Sequence, residues 1–400
     1  DEFNPRFCGE GVPDWLAEEL APVKTFPQPL QTEPFGTKEP SWTQCDSHIS
    51  FDYIWTYDSA KAYQALWERG AADFGAYWAA VAEAMAPEPS VIGGELFNEP
   101  FPGDVFQHGG WFRDNKVADR NNLQPFYENV TRSIRDAVAR GSFTLAYEPS
   151  WPVGDQDIRP NSHLPGTSGF TKLPEPGSIY AFHYYSPPCS PDLDQYLEDR
   201  LKDAERLGAL PFVSEFNLWT ADRASWHSMA TTFGAFESRL ISYTGWQYKS
   251  FAGSLPNGTC TGCGNSFFRP DGTLNRWMSS AMARPFTSAV AGRTTGSAFD
   301  LHTGALTLDY TCKETHGAPT EVFLPQRWLC TGSSNVAING DTKATIEQAK
   351  FDARTITDGV DIRSWGIVRI RHSDEAVRNS RTIRVVISPK CGDDAAVNHI

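Results

Sequence analysis

The chain has 400 residues, of which 40% are hydrophobic, 13% aromatic and 21% charged. This composition excludes the disordered and low-complexity classes, because a chain so rich in Phe, Tyr and Trp can bury a sizeable core. A formal net charge of −14 repels phosphate backbones and anionic lipid surfaces, so it argues against nucleic acid as a partner and favours a neutral substrate.

The chain starts with an irregular segment and then becomes periodic. Residues 1 to about 50 are rich in Pro, Gly and aromatics without a sustained period, which predicts a long loop. A helical pattern covers 59–86, but its apolar part falls short of the roughly 18 residues that a membrane span requires. The apolar run at 90–97 predicts a buried strand, bounded by Pro89 and Pro100.

Helices and strands alternate from there to about residue 248. The predicted elements, in chain order, are a helix at 123–139, strands at 143–147 and 179–183, an amphipathic helix from Leu193 that stops at Gly208, a strand at 212–215, a helix at 222–236 and a strand at 241–248. Strand, helix and strand in series predict a parallel sheet with right-handed crossovers.

The pattern changes after residue 286. Short alternating strands, at 306–310, 367–370 and 383–387, follow without a helical stripe between them. We therefore predict two domains, a β/α domain at 1–286 and a small all-β sandwich at 287–400.

Eight cysteines and two glycosylation sequons favour an oxidising compartment. Asn129 and Asn257 each begin an Asn-x-Thr sequon, and Cys260 and Cys263 form the one close cysteine pair in the sequence. Because no second pair and no histidine at ligand spacing complete a zinc site, disulfides are favoured over a metal. The sequence thus predicts a disulfide-containing, secreted or lumenal glycoprotein, in an extracellular or lysosome-like location.

Three glutamates follow or end apolar strands: Glu99, Glu148 and Glu215. In β/α barrels the catalytic groups lie at the carboxyl ends of the strands, and a carboxylate buried there costs desolvation unless it has a partner or a use. Glu99 and Glu215 lie on different predicted strands, so they can converge as the two carboxyls, about 5 to 5.5 Å apart, that hydrolyse a glycosidic bond with retention. Burial and a negative neighbour would raise the pKa of the acid, while hydrogen bonds would keep the nucleophile ionised.

The sequences around these glutamates resemble a known family. Asn-Glu-Pro at 98–100, Phe-His-Tyr-Tyr at 182–185 and Ser-Glu-Phe at 214–216 occur in the order found in glycoside hydrolase family 5, and their flanks are most similar to its endoglycoceramidase branch. Further similar segments lie at 7–15, 289–292 and 319–323. The resemblance implies a (β/α)8 TIM barrel followed by an appended β-sandwich.

The resemblance also implies roles for individual residues. Glu99 matches the general acid/base and Glu215 the nucleophile, whereas Glu148 lies outside this pair and is interpreted as a structural carboxylate. The positions implied to bind substrate are Asp1, Asn98, His183, Tyr185 and Trp246. Among them, Asn98 would hydrogen-bond the sugar 2-hydroxyl and Trp246 would stack on the reactive sugar, where an aromatic face meets its C–H bonds.

The resemblance leaves part of the barrel unaccounted for. In this family the acid/base follows the fourth strand, so the sequence contains strands four to eight, and five strands cannot close an eight-stranded barrel. By analogy with the family's length, we expect strands one to three, about 100 residues, in a segment packed on the edges of strands four and eight. That segment is either an N-terminal fragment of the same precursor or the part absent from an incomplete chain; a permanently incomplete, non-catalytic descendant is the third alternative.

The function that the resemblance implies is cleavage of the β-linkage between glycan and ceramide in glycosphingolipids, by two glutamates and without a cofactor. One alternative is a β-glucosidase that acts on glucosylceramide, steryl glucoside or β-glucan, since specificity depends on long loops. An alternative of another class is a secreted glycan-binding or structural protein that keeps the fold without catalysis.

Overall fold

The computed structural model describes residues 13–20, 57–106, 115–150, 167–184, 193–216, 223–248, 266–268, 271–275, 278, 281–300, 302–325, 334–351 and 365–389. The chain divides into two compact units. The first comprises Asp1–Asn217, Tyr243–Gly245 and Gly253–Thr261, and the second comprises Leu218–Ser242, Trp246–Ala252 and Gly262–Ile400. Within the described residues, every helix is too short or too polar to cross a membrane.

A parallel sheet organises the first half of the chain. Its strands are β1 (Gly93–Glu95), β2 (Thr144–Tyr147), β3 (Ile179–Tyr184), β4 (Leu210–Phe216) and β5 (Ser242–Tyr243). They lie in sequence order, and β1 to β4 pair in parallel, as the sequence predicted. β2 and β3 are buried along nearly their whole length, which is typical of strands that helices cover on both faces. The last strand is shorter than the predicted 241–248.

Helices alternate with these strands. Their bounds are α1 (Asp14–Leu20), α2 (Tyr57–Arg69), α3 (Ala71–Met85), α4 (Asn115–Ala118), α5 (Gln124–Ala137), α6 (Leu193–Leu207) and α7 (Arg223–Ser238). A π-helical turn at Asp119–Leu123 joins α4 to α5. α6 ends, as predicted, at Gly208, whose φ of +63° a glycine adopts without strain.

The structure splits the helix predicted at 59–86 in two at Gly70. A glycine inside a helix weakens it, and this one has no room for a side chain, since an added Cβ would lie 2.5 Å from Leu66 Cδ1. Gly75 allows α3 to pack closely against α5, because a Cβ there would lie 2.5 Å from Ser133 Oγ. Gly70 therefore permits the break between α2 and α3, and Gly75 permits the close packing of α3 on α5.

A buried aspartate holds the loop after β2 and the loop before β3. Asp119 accepts hydrogen bonds from the Ser150 backbone N–H and hydroxyl and from the Gly169 N–H, each at 2.7 Å. Burial raises the pKa of Asp119 from 3.8 to about 6, against these hydrogen bonds, which lower it. The Asp119 carboxyl thus ties the chain that follows β2, at Ser150, to the chain that leads into β3, at Gly169.

We expect Asp119→Ala to lower the free energy of unfolding by about 3 kcal/mol at pH 7, because it leaves buried N–H groups without acceptors. The folded-state pKa is the higher one, so the carboxyl stabilises the fold at low pH, and that contribution disappears as pH rises through about 6. The loss caused by the substitution should therefore be about 2 kcal/mol larger at pH 4 than at pH 7. Urea unfolding of both proteins at the two pH values measures it, and an equal loss at both would contradict the raised pKa.

The C-terminal part forms two antiparallel sheets. Their strands are β6 (Phe286–Ala289), β7 (Gly292–Phe299), β8 (Leu306–Cys312), β9 (Thr320–Pro325), β10 (Ser334–Asn339), β11 (Thr345–Phe351), β12 (Trp365–Arg371) and β13 (Thr382–Pro389). One sheet has the order β10-β13-β8-β7 and the other β11-β12-β9-β6. A short helix, α8 (Asp374–Arg378), lies between β12 and β13.

One core joins the two sheets. Alternate residues of β8 and β13, such as Leu308 and Val385, are buried with Val322 of β9 and Val368 of β12. Alternation with one buried face is what a sandwich requires of each strand. The predicted antiparallel architecture after residue 286 is confirmed; the predicted boundary itself stays a prediction.

Two of the residues that predict a secretory compartment, Asn129 and Cys312, lie among the described residues. Asn129 is exposed on α5, where its side-chain oxygen accepts a hydrogen bond from Arg132 at 3.0 Å. Cys312 is a free thiol buried in the sandwich core, so it is not part of the predicted disulfides. Burial raises its pKa to about 11, which makes the thiol unreactive. Asn257 and the other seven cysteines lie outside the described residues, where glycosylation and disulfides stay predictions.

Candidate active site

Four glutamates and one histidine gather at the carboxyl edge of the parallel sheet. Glu95 ends β1, Glu99 follows four residues later, Glu148 comes directly after β2, His183 lies near the end of β3, and Glu215 lies near the end of β4. Neighbouring parallel strands end at the same edge, which brings residues far apart in sequence together. We call these five residues the carboxylate cluster; His183 lies within 4 Å of Glu99, Glu148 and Glu215, and ligand atoms of Glu95, Glu148 and His183 lie within 4.8 Å of one another.

Glu99 lies at a sharp turn of the backbone. Its φ is +45°, in the left-handed region that residues with a Cβ seldom adopt. Its backbone N–H donates to Glu148 Oε2 at 2.7 Å, and its own carboxylate Oε1 lies 2.7 Å from His183 Nδ1. The turn therefore places the Glu99 carboxyl on the imidazole while a second carboxyl holds its main chain.

His183 is the centre of the cluster. Its Nδ1 lies 2.7 Å from Glu99 and 3.9 Å from Glu215 Oε1, and its Nε2 lies 3.7 Å from Glu148 Oε2. Burial lowers the pKa of His183, although the carboxylates of Glu215 and Glu95 act to raise it. The lowered pKa favours the neutral imidazole, whose one ring proton is either on Nε2, so that Nδ1 accepts from Glu99, or on Nδ1, so that Nδ1 donates to Glu99.

Glu215 is opposite His183 in the sheet. A register shift between Phe182 and His183 brings His183 into register with Glu215. The preceding residue, Ser214, is held on both sides: its hydroxyl donates to Glu95 Oε1 at 3.0 Å, and its carbonyl accepts from Thr244 Oγ1 at 2.6 Å. The backbone that carries Glu215 is consequently fixed at the edge of the site.

The four carboxyls form an accessible pair, Glu99 and Glu215, and an inner pair, Glu148, which is buried, and Glu95, which is partly buried and accepts a hydrogen bond from Ser214. Glu99 and Glu215 expose 10% and 17% of their side chains, so an incoming molecule can reach them, whereas Glu148 exposes only 4%. Burial and the carboxylates of Glu95 and Glu99 hold the pKa of Glu148 well above its usual range, and burial also raises the pKa of Glu95. The accessible pair is open to an incoming molecule, and the raised pKa values of the inner pair favour its protonated form.

Tyrosines on two helices support the cluster from behind. The Tyr127 hydroxyl on α5 donates to the Glu148 carbonyl at 3.0 Å, and the Tyr196 hydroxyl on α6 donates to the His183 carbonyl. Both rings are buried. They fix the main chain of Glu148 and His183, as supporting residues do in preorganised sites.

Two triads in the cluster have the composition of cation ligands: Glu95, Glu148 and His183, and Glu99, His183 and Glu215. Both share His183, whose Nδ1 already lies at hydrogen-bond distance from Glu99. A metal bound to that nitrogen at about 2.0 to 2.1 Å would have to displace the proton between the two atoms. The arrangement of Glu99, His183 and Glu215 therefore fits proton transfer between Glu99 and His183.

The structure brings together the three central residues that the sequence singled out. Glu99, His183 and Glu215 form one contact group, and Asn98 lies directly before Glu99 with its side chain exposed. Trp246 is half exposed and belongs to the second unit. Asp1 and Tyr185 lie outside the described residues, so their roles stay predictions.

Of the two inner carboxylates, the sequence indicated Glu148 at the end of a strand and missed Glu95. Glu148 was interpreted as structural, and Glu95 was taken as part of an apolar strand. The available signal for Glu95 was its charge inside the buried run at 90–97, since such a residue needs a partner. That partner, Ser214, is 119 residues away in sequence.

The parallel β/α sheet with reactive carboxyls at its carboxyl edge, followed by a sandwich, defines a class: β/α-barrel proteins whose strand-end carboxylates carry acid–base chemistry. The profile of Cellulase (glycosyl hydrolase family 5) matches residues 45–252, more than half of the chain, and that of the Glycoside hydrolase family 5 C-terminal domain matches residues 284–385. The chain belongs to glycoside hydrolase family 5, and the predicted family is confirmed.

Individual relatives agree with this family. The chain is 33% identical over 372 residues to an endoglycoceramidase of Hydra vulgaris, and 31% identical over 318 residues to one of Cyanea nozakii. These alignments cover 88% and 78% of the chain but only 65% and 60% of the two relatives. The chain thus spans less than two thirds of the length of each.

Solved structures share the fold. Endo-glycoceramidase II from Rhodococcus sp., in complex with a five-membered iminocyclitol, superposes with a TM-score of 0.66 at 20% identity, covering 98% of this chain and 78% of that one. The ganglioside GM3 complex of the same protein gives 0.64 at 20% identity, covering 96% and 74%. At this identity the likeness supports the barrel-plus-sandwich architecture.

Proposed function

We propose that this chain carries the catalytic residues of a retaining glycosidase. The observation that supports it best is the spacing of the accessible pair: one carboxylate oxygen each of Glu99 and Glu215, together with a His183 nitrogen, lie within 4.8 Å of one another. Retaining enzymes have carboxyls about 5 to 5.5 Å apart, whereas inverting enzymes leave about 6.5 to 9.5 Å for a water molecule. The short separation favours direct attack by a carboxylate.

In the first step, an oxygen of ionised Glu215 attacks the anomeric carbon. The bond from that carbon to the aglycone oxygen breaks, and the oxygen takes the proton of Glu99. In the second step Glu99, now ionised, removes a proton from water, the water oxygen bonds to the anomeric carbon, and Glu215 leaves as a carboxylate. His183 suits both steps through its two neutral tautomers: with the ring proton on Nε2, Nδ1 accepts from protonated Glu99, and with the proton on Nδ1 it donates to ionised Glu99.

The substrate class that we propose is a glycosphingolipid, cleaved between glycan and ceramide. Support comes from the similarity to the two endoglycoceramidases and from the fold shared with a protein crystallised with ganglioside GM3. The net charge of −14 is compatible with a substrate whose reacting bond is uncharged.

We also propose that strands one to three of the barrel come from polypeptide outside the described elements. Within the described part of the chain, β1 pairs with β2 alone and is the edge of its sheet. Beside it, Ile92 is 77% exposed and Tyr77 of α3 is 60% exposed, although α3 is an apolar helix. An unpaired strand edge and an exposed apolar helix face are typical of surfaces that further polypeptide covers. A structure of the intact protein in which the β1 edge faces solvent would contradict the proposal.

The test of the proposed function is incubation of the intact protein with a fluorescent ganglioside and, separately, with cello-oligosaccharides. We expect release of the whole oligosaccharide from ceramide, with the β anomer appearing first in the proton NMR spectrum. Turnover of cello-oligosaccharides alone would instead favour a β-glucanase, and no turnover of either would favour a binding protein. A first-formed α anomer would contradict the role of Glu215 as nucleophile.

A further inference from the structure

Glu148 combines three properties that the two-glutamate mechanism does not use. It is buried, its Oε2 accepts the backbone N–H of Glu99 at 2.7 Å, and the same oxygen lies 3.7 Å from His183 Nε2. It therefore contacts the main chain of one catalytic residue and faces the far side of the imidazole that the same residue contacts.

The bond to the Glu99 N–H acts where the backbone is strained. A residue with a Cβ at φ +45° costs about 1 kcal/mol or more, and such a conformation persists only when its surroundings hold it. The direction of the Cα–Cβ bond, and with it the position of the carboxyl, follows from that conformation. An acceptor on the Glu99 N–H therefore controls where the general acid points.

The charge state of Glu148 makes it suited to this task. Burial and the neighbouring carboxylates raise the pKa of Glu148 well above its usual range, which favours its neutral form. A neutral carboxyl can accept the N–H at one oxygen without adding negative charge beside Glu215, whose role requires it to be ionised. A glutamine at this position would offer the same acceptor in nearly the same volume.

We propose that Glu148 is a positioning residue for the general acid, holding the Glu99 turn through its backbone N–H and orienting His183 from behind. The inference rests on the proposed function and adds a residue to that machinery. Its consequence is selective: loss of Glu148 should impair protonation of the leaving group and spare attack by Glu215. Leaving groups that depart without a proton should reveal the difference.

The test compares octyl β-lactoside, a poor leaving group, with dinitrophenyl β-lactoside, which leaves without protonation. For Glu148→Ala in the intact protein we expect kcat/KM on the octyl substrate to fall about 100-fold, the scale of a misplaced catalytic group. On the dinitrophenyl substrate it should change less than about threefold, because kcat/KM reports the glycosylation step. Glu148→Gln should stay within about threefold of the parent on both.

Glu175→Ala is the matched control. Glu175 is another carboxyl of low exposure in the same unit, ion-paired with Arg135 at 2.6 Å and outside the carboxylate cluster. Its removal should affect the two substrates equally. If Glu148→Ala does not fold, Glu148→Asp replaces it, since the shorter side chain withdraws the acceptor by one methylene, and it should show the same selectivity.

Equal losses on both substrates, or no loss on either, would overturn the positioning role, because a purely structural residue has no preference for leaving groups. A Glu148→Gln variant as impaired as the alanine variant would overturn it as well. Failure of the proposed function looks different: the parent itself would turn over neither lactoside.

Discussion

Glu215→Gln is expected to lower kcat for a glycosphingolipid or a β-lactoside by on the order of 10⁵-fold, the largest effect of any single substitution in this chain. The amide keeps the volume of the side chain but carries neither the negative charge nor the nucleophilic oxygen that forms the glycosyl bond. Opposite His183 at the carboxyl edge, Glu215 is accessible. In the proposed mechanism Glu99 protonates the leaving group and so does not replace the lost nucleophile.

The same assignment can be tested without a substitution. A fluorinated lactosyl fluoride, with fluorine in place of the hydroxyl next to the anomeric carbon, should react once and stall as a covalent adduct, because fluorine slows the second step. Peptide mass spectrometry should then find the lactosyl group on Glu215. Glu128→Gln, on the surface of α5 and near Lys172, is the control and should retain full activity. A label on Glu99 or Glu148 would assign the nucleophile elsewhere.

The positions of Glu99 and Glu215 could be predicted from sequence because each depends on the strand that it follows or ends. Glu99 and Glu215 each lie at the end of an apolar stretch, and parallel strands place such ends at one edge regardless of the loops between them. The stretch around Glu99 was predicted as a strand at 90–97, whereas only Gly93–Glu95 has ladder partners. The location of the carboxyl survived that error, since it depends on the order of strands rather than on their lengths.

The contacts of the inner pair could not be predicted because they join residues far apart in sequence. Nothing near Glu148 in sequence indicates that it accepts the N–H of a residue 49 positions earlier, and the 119-residue separation of Glu95 and Ser214 is larger still. The left-handed φ of Glu99 is equally invisible, since the sequence has glutamate where such a conformation would favour glycine. These features arise only when the sheet has assembled.

The regular elements show the same division. The C-terminal strands were predictable because alternation exposes one face and buries the other, as in the pattern of β8. The predicted strand at 241–248 was too long, because its aromatic residues resemble a strand in composition while only Ser242–Tyr243 pairs in the sheet. Composition predicts which segments can be strands, and hydrogen-bond partners decide how far they extend.

Glu99→Ala is expected to slow cleavage of substrates whose leaving group needs a proton and to spare substrates whose leaving group does not. On octyl β-lactoside kcat/KM should fall by about 10³-fold or more, within the range for loss of a general acid, while on dinitrophenyl β-lactoside it should fall little. For that second substrate kcat should still drop, because no base remains to activate water on the glycosyl-enzyme. Alanine keeps the Cβ and so the same strain at φ +45°, which makes the lost carboxyl the main change.

Azide then distinguishes the acid/base from the nucleophile by stereochemistry. In Glu99→Ala, azide can enter the space that the carboxyl leaves near His183 Nδ1, needs no base, and should restore kcat on the dinitrophenyl substrate while forming the β-lactosyl azide. In Glu215→Ala the same anion would attack from the opposite face and give the α-azide. Proton NMR of the product separates the two. A β-azide from the Glu215 variant, or an α-azide from the Glu99 variant, would exchange the two roles, because azide gives the inverted product only where the nucleophile is missing.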